Sequence, residues 1–500
     1  MTSSDVGPVV DAAPRRPVVL ARGSLHPAML FLRLLDGIRA SLLPALIAVV
    51  SREIWIGGIA AVVFLASLLV AVVRFATFQY QLDEDELVTR EGILNRQERR
   101  IPVNRIQDLS FEQSLLRRML GIVVVSVETA SGKGAEARLD SLSRSAAERM
   151  REALYRARGN VLQSRADQPA ELVLWRAPAS ELFLLGVSTQ KVGAILAAML
   201  GVSELLRELR LVDQATGMLQ GVMQMVTGMP VGLQVLLLVV GLVLLLLLGA
   251  MIATLGAFLL FHGFLLTLRD DVLVRRFGLI TRHTHALPRR KIQRVLLEQS
   301  FLRLLLGRAV VKADSAGGGE SEAEKQKSGT DVLAPLLPFA DAERLVGWTL
   351  PGLQCSSLRW NQVSARAVVR MTLVGVLLAV VLGSVTAIRF GWIASASALL
   401  VPMAATAGYL IWRRAGWVLP TGHVALRSGM LGRTIALVPA RKIQGVVLRA
   451  GPLDRLLGLA RIVIYVAGGS PSTLAHLVRS DAEALLRGIA QQAARTRFVW

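Results

Sequence analysis

The chain has 500 residues, 53% of them hydrophobic and only 19% charged, with a mean hydropathy of +0.52. That excludes a disordered chain and most soluble enzymes. The 57 Lys and Arg against 36 Asp and Glu leave a net charge of +21, which calls for an anionic partner such as nucleic acid or an anionic membrane leaflet. A single cysteine, Cys355, excludes an internal disulfide and a Cys-based zinc site.

Residues 1–28 read as a cytoplasmic tail, Pro-rich over 1–22 with Arg15, Arg16 and Arg22, without the short apolar core and cleavage site of a signal peptide. Residues 29–76 follow as a first transmembrane hairpin. Its spans are Leu34–Val50, with Asp36 and Arg39 at the start, and Trp55–Val73, between Arg52 and Arg74. A polar segment covers 77–158. The second hairpin, 180–263, holds Leu182–Leu200, which carries Lys191, and the uncharged run Val231–Phe261, longer than the roughly 20 residues that cross the hydrocarbon. Between them an external loop of about 203–231 has Leu205, Leu206, Leu209 and Val212 at helical spacing, suited either to the membrane interface or to packing on neighbours. A second polar segment covers 264–350. The third hairpin, 366–413, comprises Val368–Ile388, broken only by Arg370, and Phe390–Trp412, and a third polar segment covers 415–490. Each hairpin returns the chain to its starting side. The Arg-rich segments predict a multi-pass plasma-membrane protein with cytoplasmic termini and three cytoplasmic polar domains. Arg39, Lys191 and Arg370 lie close enough to span ends to snorkel.

The polar segments are copies of one another. Leu287 to Val311 (LPRRKIQRVLLEQSFLRLLLGRAVV) aligns on Ile101 to Val125 (IPVNRIQDLSFEQSLLRRMLGIVVV), 186 residues earlier and without a gap. Val438 to Ile462 aligns 337 residues after the first. At these offsets Gly92, Gly278 and Gly429 coincide, as do Pro102, Pro288 and Pro439, and Gln107, Gln293 and Gln444. So do Gly121, Gly307 and Gly458. The recurring cations are Arg90, Arg276 and Arg427; Arg96, Arg282 and Arg433; and Arg105, Lys291 and Lys442. The chain is thus three repeats of a hairpin followed by a polar domain.

Each polar copy reads as short strands with a closing helix. A turn at Glu91-Gly92 joins two strands, since Gly permits positive φ, and the repeated Pro suggests an edge or a break between strands. A strand at Ile106–Phe111, a helical turn stopped by Gly121 and a strand at Ile122–Val127 follow. Ser131-Gly132-Lys133-Gly134 forms a loop. Ser145 with Glu148 and Ser480 with Glu483 have the spacing of capping boxes at the start of the last helix. Copy two carries about nine extra residues and a Gly-rich, flexible loop at 317–329. Copy three has Gly451-Pro452 where the others have Ser114-Leu115 and Ser300-Phe301, so its middle turn is expected to differ.

The Leu25-His26-Pro27 segment before the first hairpin, the Arg90-Glu91-Gly92 turn, the thrice-repeated block at Ile101-Pro102-x-x-Arg105-Ile106-Gln107, and the Leu-rich turns closing at Gly121, Gly307 and Gly458 carry a resemblance. Over nearly its whole length the chain resembles the bacterial pleckstrin-homology-like (PH-like), membrane-flanked domain family, in its three-copy form. The resemblance implies an α+β integral membrane protein, each hairpin followed by a PH-like β-barrel or sandwich with a C-terminal helix. It implies no catalytic activity, and no cofactor is expected.

The nine repeated cations are the candidate contacts for anionic headgroups or an acidic partner. The competing explanation is topology plus an Arg bias, since only seven of the 57 cations are Lys. The repeated Gln, Gly and Pro read as structural, the Gln as buried and satisfying strand-end hydrogen bonds. His283 and His285 form an H-x-H pair, but with no carboxylate cluster beside them a metal is not expected. No phosphate loop, hydrolase or zinc-protease motif is present, so neither catalytic nor cofactor-binding residues are assigned. The reading is a non-enzymatic scaffold or binding module in the lipid bilayer. Its partners would be anionic lipid, another membrane protein of the same family or a second copy, in envelope maintenance or stress resistance. The alternative is a transporter or channel component, drawing on charges within the spans. Nucleic acid would explain the charge but not the spans.

Overall fold

The computed structural model describes residues 19–51, 53–93, 96–129, 135–157, 171–189, 224–269, 271–315, 332–353, 355–467 and 470–495. Most of the Leu182–Leu200 span, most of the 203–231 loop, the Ser131–Gly134 loop and the 317–329 loop lie outside them. The chain divides into two units, the first holding copy one and the second holding copies two and three.

In the first unit β1 (Val19–Ser24) precedes helices α1 (Ala28–Ser51) and α2 (Ile54–Thr77). Then come β2 (Gln79–Asp83), β3 (Glu86–Glu91), β4 (Gln97–Pro102), β5 (Ile106–Ser114), the short α3 (Leu115–Met119), β6 (Ile122–Thr129), β7 (Ala135–Ser143) and α4 (Arg144–Ala157). Strands β1 to β4 form one antiparallel sheet, and β5 to β7 pair antiparallel in order. Between the sheets lie Leu82, Leu87, Ile101, Ile106, Val125 and Leu139, and α4 closes the core with Ala147, Met150 and Leu154 on one face.

Copy two repeats the plan with β8 (Leu172–Arg176), α5 (Ala179–Ser188), α6 (Val231–Phe261), β9 (Leu265–Arg269), β10 (Val272–Phe277), β11 (Thr281–Pro288) and β12 (Ile292–Gln299). It ends with α7 (Phe301–Leu305), β13 (Arg308–Ser315), β14 (Val332–Pro338) and α8 (Phe339–Thr349). Copy three has β15 (Asn361–Gln362), α9 (Arg366–Phe390), a 3-10 stretch, α10 (Leu400–Arg414), β16 (Gly416–Val418), β17 (His423–Ser428) and β18 (Arg433–Pro439). It closes with β19 (Ile443–Arg449), α11 (Pro452–Leu456), β20 (Leu459–Val466), β21 (Ser472–Val478) and α12 (Arg479–Arg495).

Two features were not read from the sequence. First, a strand precedes each helical pair and hydrogen-bonds to the strand that follows it. Ser24 lies opposite Gln79, Arg176 opposite Leu265, and Gln362 opposite Gly416. The helices are therefore insertions within a β-hairpin. Second, β12 of copy two pairs with β18 of copy three, giving a seven-stranded sheet in the order β14-β13-β12-β18-β17-β16-β15.

Four helices among the described residues are long and apolar enough to cross a bilayer: Ile54–Thr77, Val231–Phe261, Arg366–Ile388 and Ser395–Arg414. The expected span Leu34–Val50 lies in the 24-residue α1, which also carries Arg33, Asp36 and Arg39. Small residues let the helices approach. A Cβ on Gly186 would lie 2.2 Å from the Thr254 backbone, and one on Gly375 would lie 2.4 Å from the Ala404 Cβ.

Two local expectations need correction. The closing helices start one residue before Ser145 and Ser480. Ser143 Oγ, not Ser145, accepts the Ala146 N–H, while Glu148 and Glu483 pair with Arg144 and Arg479, each at 3.0 Å. The middle turn of copy three keeps its five-residue helix, because Pro452 suits a first helical position and the Asp454 carboxylate accepts the Gly451 N–H at 3.1 Å.

Candidate functional site

The candidate site is the foot of each domain, where strands meet helices. Strand β3 runs beside β2, which leaves α2 directly, so Arg90, opposite Gln79, stands at the helix end of the sheet. Arg276 and Arg427 stand likewise opposite Leu265 and Gly416. All three are engaged. Arg90 Nε donates to Glu98 at 3.1 Å, Arg276 pairs with Glu171 at 3.2 Å, and Arg427 lies 4.8 Å from the Trp360 ring centre. Hydrogen bonds from Arg90 and Arg100 hold the Glu98 carboxyl below its ordinary range.

The next turn separates the copies. Arg96 and Arg282 are exposed. Arg433, their equivalent, is half-buried: its Nε donates to Gln299 Oε1 of copy two at 2.7 Å, and it lies 4.5 Å from the Phe339 ring centre. Burial and then Arg427 lower its pKa. In copy three this cation is a joint between domains. The third set stands at the other end of the strand. Between Arg96 and Arg105 runs the six-residue β4, about 20 Å at strand rise. Arg105 is exposed there, Lys291 is half-buried, and Lys442 is buried, its ammonium pushed down by burial and by Arg441. The nine cations therefore cannot all meet one flat surface.

The repeated Gln also diverge. Gln293 is buried and donates to Lys291 O at 3.0 Å, Gln444 is exposed, and the side chain of Gln107 lies outside the description. Gly92, Gly278 and Gly429 turn the chain with φ of 93°, 109° and 143°, and Gly121, Gly307 and Gly458 end the short helices with φ of 66°, 63° and 64°. Pro102, Pro288 and Pro439 end their strands before the chain crosses to the second sheet. His283 and His285 stack 5.8 Å apart beside Phe277, and burial pushes His285 down to about 3.

The foot is fastened by polar contacts. In copy one Arg74 bridges Glu91 and Asp140, each at 3.3 Å. In copy two Arg303 donates to Ser188 Oγ at 2.9 Å and Thr189 Oγ1 at 2.6 Å, and Arg308 pairs with Glu181 at 3.0 Å. In copy three Arg370 Nε donates to Asp454, on the short helix, at 2.6 Å. Burial acts to raise the Asp454 carboxyl, but the Gly451 N–H and Arg370 outweigh it and hold the group low. Arg303 and Asp454 occupy the same repeat position, so the cation sits on the short helix in one copy and on the long helix in the other. Between copies two and three, Arg294 is buried with Nε 2.8 Å from Asp314 and Nη1 2.8 Å from Ser472 Oγ. Sequence reasoning missed these joints. Their signal was a charge peculiar to one copy: Asp108 and Gly445 stand where copy two has Arg294.

Between α1 and α2 lies a largely apolar cavity of about 380 Å³, bordered by Arg33 and Asp36 at one end and Ile56 at the other.

These features define a membrane-embedded protein whose small β-domains each carry an inserted helical pair. The chain belongs to the bacterial PH domain family, which it matches at residues 37–158, 222–351 and 371–493. Each match begins in or just before a long helix and ends at or near the closing helix. The chain is also similar to the UPF0699 transmembrane protein YdbT of Bacillus subtilis (strain 168), with 25% identity over 400 residues, 77% of this chain and 78% of that relative.

Proposed function

We propose that this membrane protein is a non-enzymatic scaffold. Three hairpins would hold three PH-like domains on the cytoplasmic face, where they engage anionic lipid or a protein partner in envelope maintenance. The observation that carries the reading is the pairing of the strands flanking each helical pair, Ser24 with Gln79, Arg176 with Leu265 and Gln362 with Gly416. Chain ends hydrogen-bonded in one sheet lie on one side of a bilayer, so an even number of crossings separates them. Arg96 and Arg282, exposed at the foot, are the cations best suited to headgroups. The capture of Arg370 by Asp454 removes one of the charges that a transport path would use.

The test uses the full chain, because copy three shares its sheet with copy two and an excised domain would lose that edge. Retention of phosphatidylglycerol against phosphatidylcholine is measured by native mass spectrometry of the detergent-solubilised protein. At about 1 kcal/mol per cation near a charged surface, Arg96→Gln with Arg282→Gln should weaken phosphatidylglycerol retention by up to about thirtyfold. Equal retention by the double variant would sink the headgroup role and turn the search toward protein partners.

A further inference from the structure

Two repeat positions expose large apolar side chains in every copy. One is in the turn after the repeated Gly, at Ile93, Leu279 and Met430; the other is at the end of the short helix, at Met119 (77% exposed), Leu305 (69%) and Leu456 (82%). Single exposed apolar residues are ordinary, but the same two positions exposed in three divergent copies form a pattern.

Both positions belong to the foot. The Gly92 N–H donates to Thr77 Oγ1, the last residue of α2, at 3.1 Å, and the Leu279 N–H donates to Leu259 O near the end of α6 at 3.0 Å. Arg414, the last residue of α10, donates to Met430 O at 2.9 Å. The short helices are held to the first helix of their pair through Arg303 with Ser188 and through Asp454 with Arg370. Exposed cations flank the apolar tips: Arg96 and Arg118 in copy one, Arg282 in copy two, and Arg455 in copy three. The far end of the domain carries charges of both signs, among them the exposed Arg105 of copy one. The turn from β2 to β3 presents Glu84 and Asp85, and the corresponding turn of copy two presents Asp271. Each domain is thus polarised, with an apolar, Arg-flanked foot continuous with the spans and, in copies one and two, a far end whose turns present charged residues of both signs.

We propose that the paired apolar tips are immersed in the interfacial zone of the bilayer that the helices cross, so that the domains are docked onto the lipid and not held above it. Apolar side chains at the acyl boundary with Arg at headgroup level match what the interface solvates. The inference rests on the membrane spans and not on headgroup binding, so the lipid-retention experiment can fail while this one holds.

The test places a polarity-sensitive fluorophore at Met119→Cys, Leu305→Cys or Leu456→Cys in the full chain, reconstituted in vesicles of phosphatidylglycerol and phosphatidylcholine. Burial pushes the native Cys355 thiol up to about 12, so the unmodified chain measures its slow background labelling. Glu84→Cys is the far-end control. Tip labels should emit to the blue of the control and be quenched several-fold more by lipids spin-labelled high on the acyl chain, with iodide quenching reversed. Control-like emission and iodide access would overturn the proposal. So would shielding from iodide without lipid quenching, which would mean that a second copy or another part of the chain covers the tips. Ile93→Cys and Leu279→Cys provide the same reading should a helix-tip variant fail to reconstitute.

Discussion

Arg294 shows how a repeat position acquires a task of its own. It is buried, donates to Asp314 of its own copy and to Ser472 of the next, and has Asp108 and Gly445 as its counterparts. Removing one partner of such a buried pair leaves an uncompensated charge, so Arg294→Ala should cost about 3–5 kcal/mol. Arg294→Met with Asp314→Leu should recover most of this, as read from thermal unfolding in detergent. A loss no larger than that of an exposed Arg282→Ala would show that the pair is not a joint. His476 supplies a second residue-scale expectation. Burial, with Arg370 adding to it, lowers its pKa from 6.5 to about 4. Between those values the unfolded chain binds the proton and the folded chain does not, so stability rises with pH there and falls on acidification. His285, lowered to about 3 by burial, acts in the same direction. Unfolding temperature should drop between about pH 7 and pH 5, and His476→Asn should flatten the drop. Asn is the choice because residue 476 has a φ of 65°. An unchanged slope would remove His476 from the account. The repeat alignment identified the nine cations, but their partners come from neighbouring elements. No spacing within one copy announces that Arg433 will meet Gln299.

Among the elements, the strands and short helices were legible because each follows local rules: β-branched runs, a Gly after the last helical turn, a Gly where φ turns positive. The turn at Gly278 can be tested. A Cβ there would stand 1.8 Å from the Thr281 carbonyl oxygen at a φ of 109°. At Gly263 φ is 62° and the surrounding space is open. Gly263→Ala should cost about 1 kcal/mol, and Gly278→Ala clearly more, measured as unfolding temperature and yield of folded protein. Equal losses would mean that the turn rearranges freely. Of the strands before the helical pairs, β15 has only two residues and β8 five. Segments so short acquire strand identity from the partner that pairs with them.

For the whole molecule, three helical pairs inserted into β-hairpins predict one topology. Reporter fusions after Asp167, Gln214, Glu322 and Arg495 should read inside, outside, inside and inside, and an outside signal at Glu322 would break it. The sequence by itself determined the membrane class and the threefold repeat, and placed strands after each helical pair but not the strand before it. Hydrocarbon length, fixed offsets and local propensity are properties of the chain in one dimension. Only the tertiary structure decided which repeated cations remain available. Arg96 and Arg282 stay exposed, while Arg433 and Lys442 are drawn into copy three and its junction. For Arg433 the physical reason is the pairing of β12 with β18, which sets it opposite Gln299, whereas Lys442 is buried in the turn that follows β18. Satisfying the backbone of one domain's edge with the next domain's strand brings distant side chains together, and no local pattern encodes which edge will be chosen.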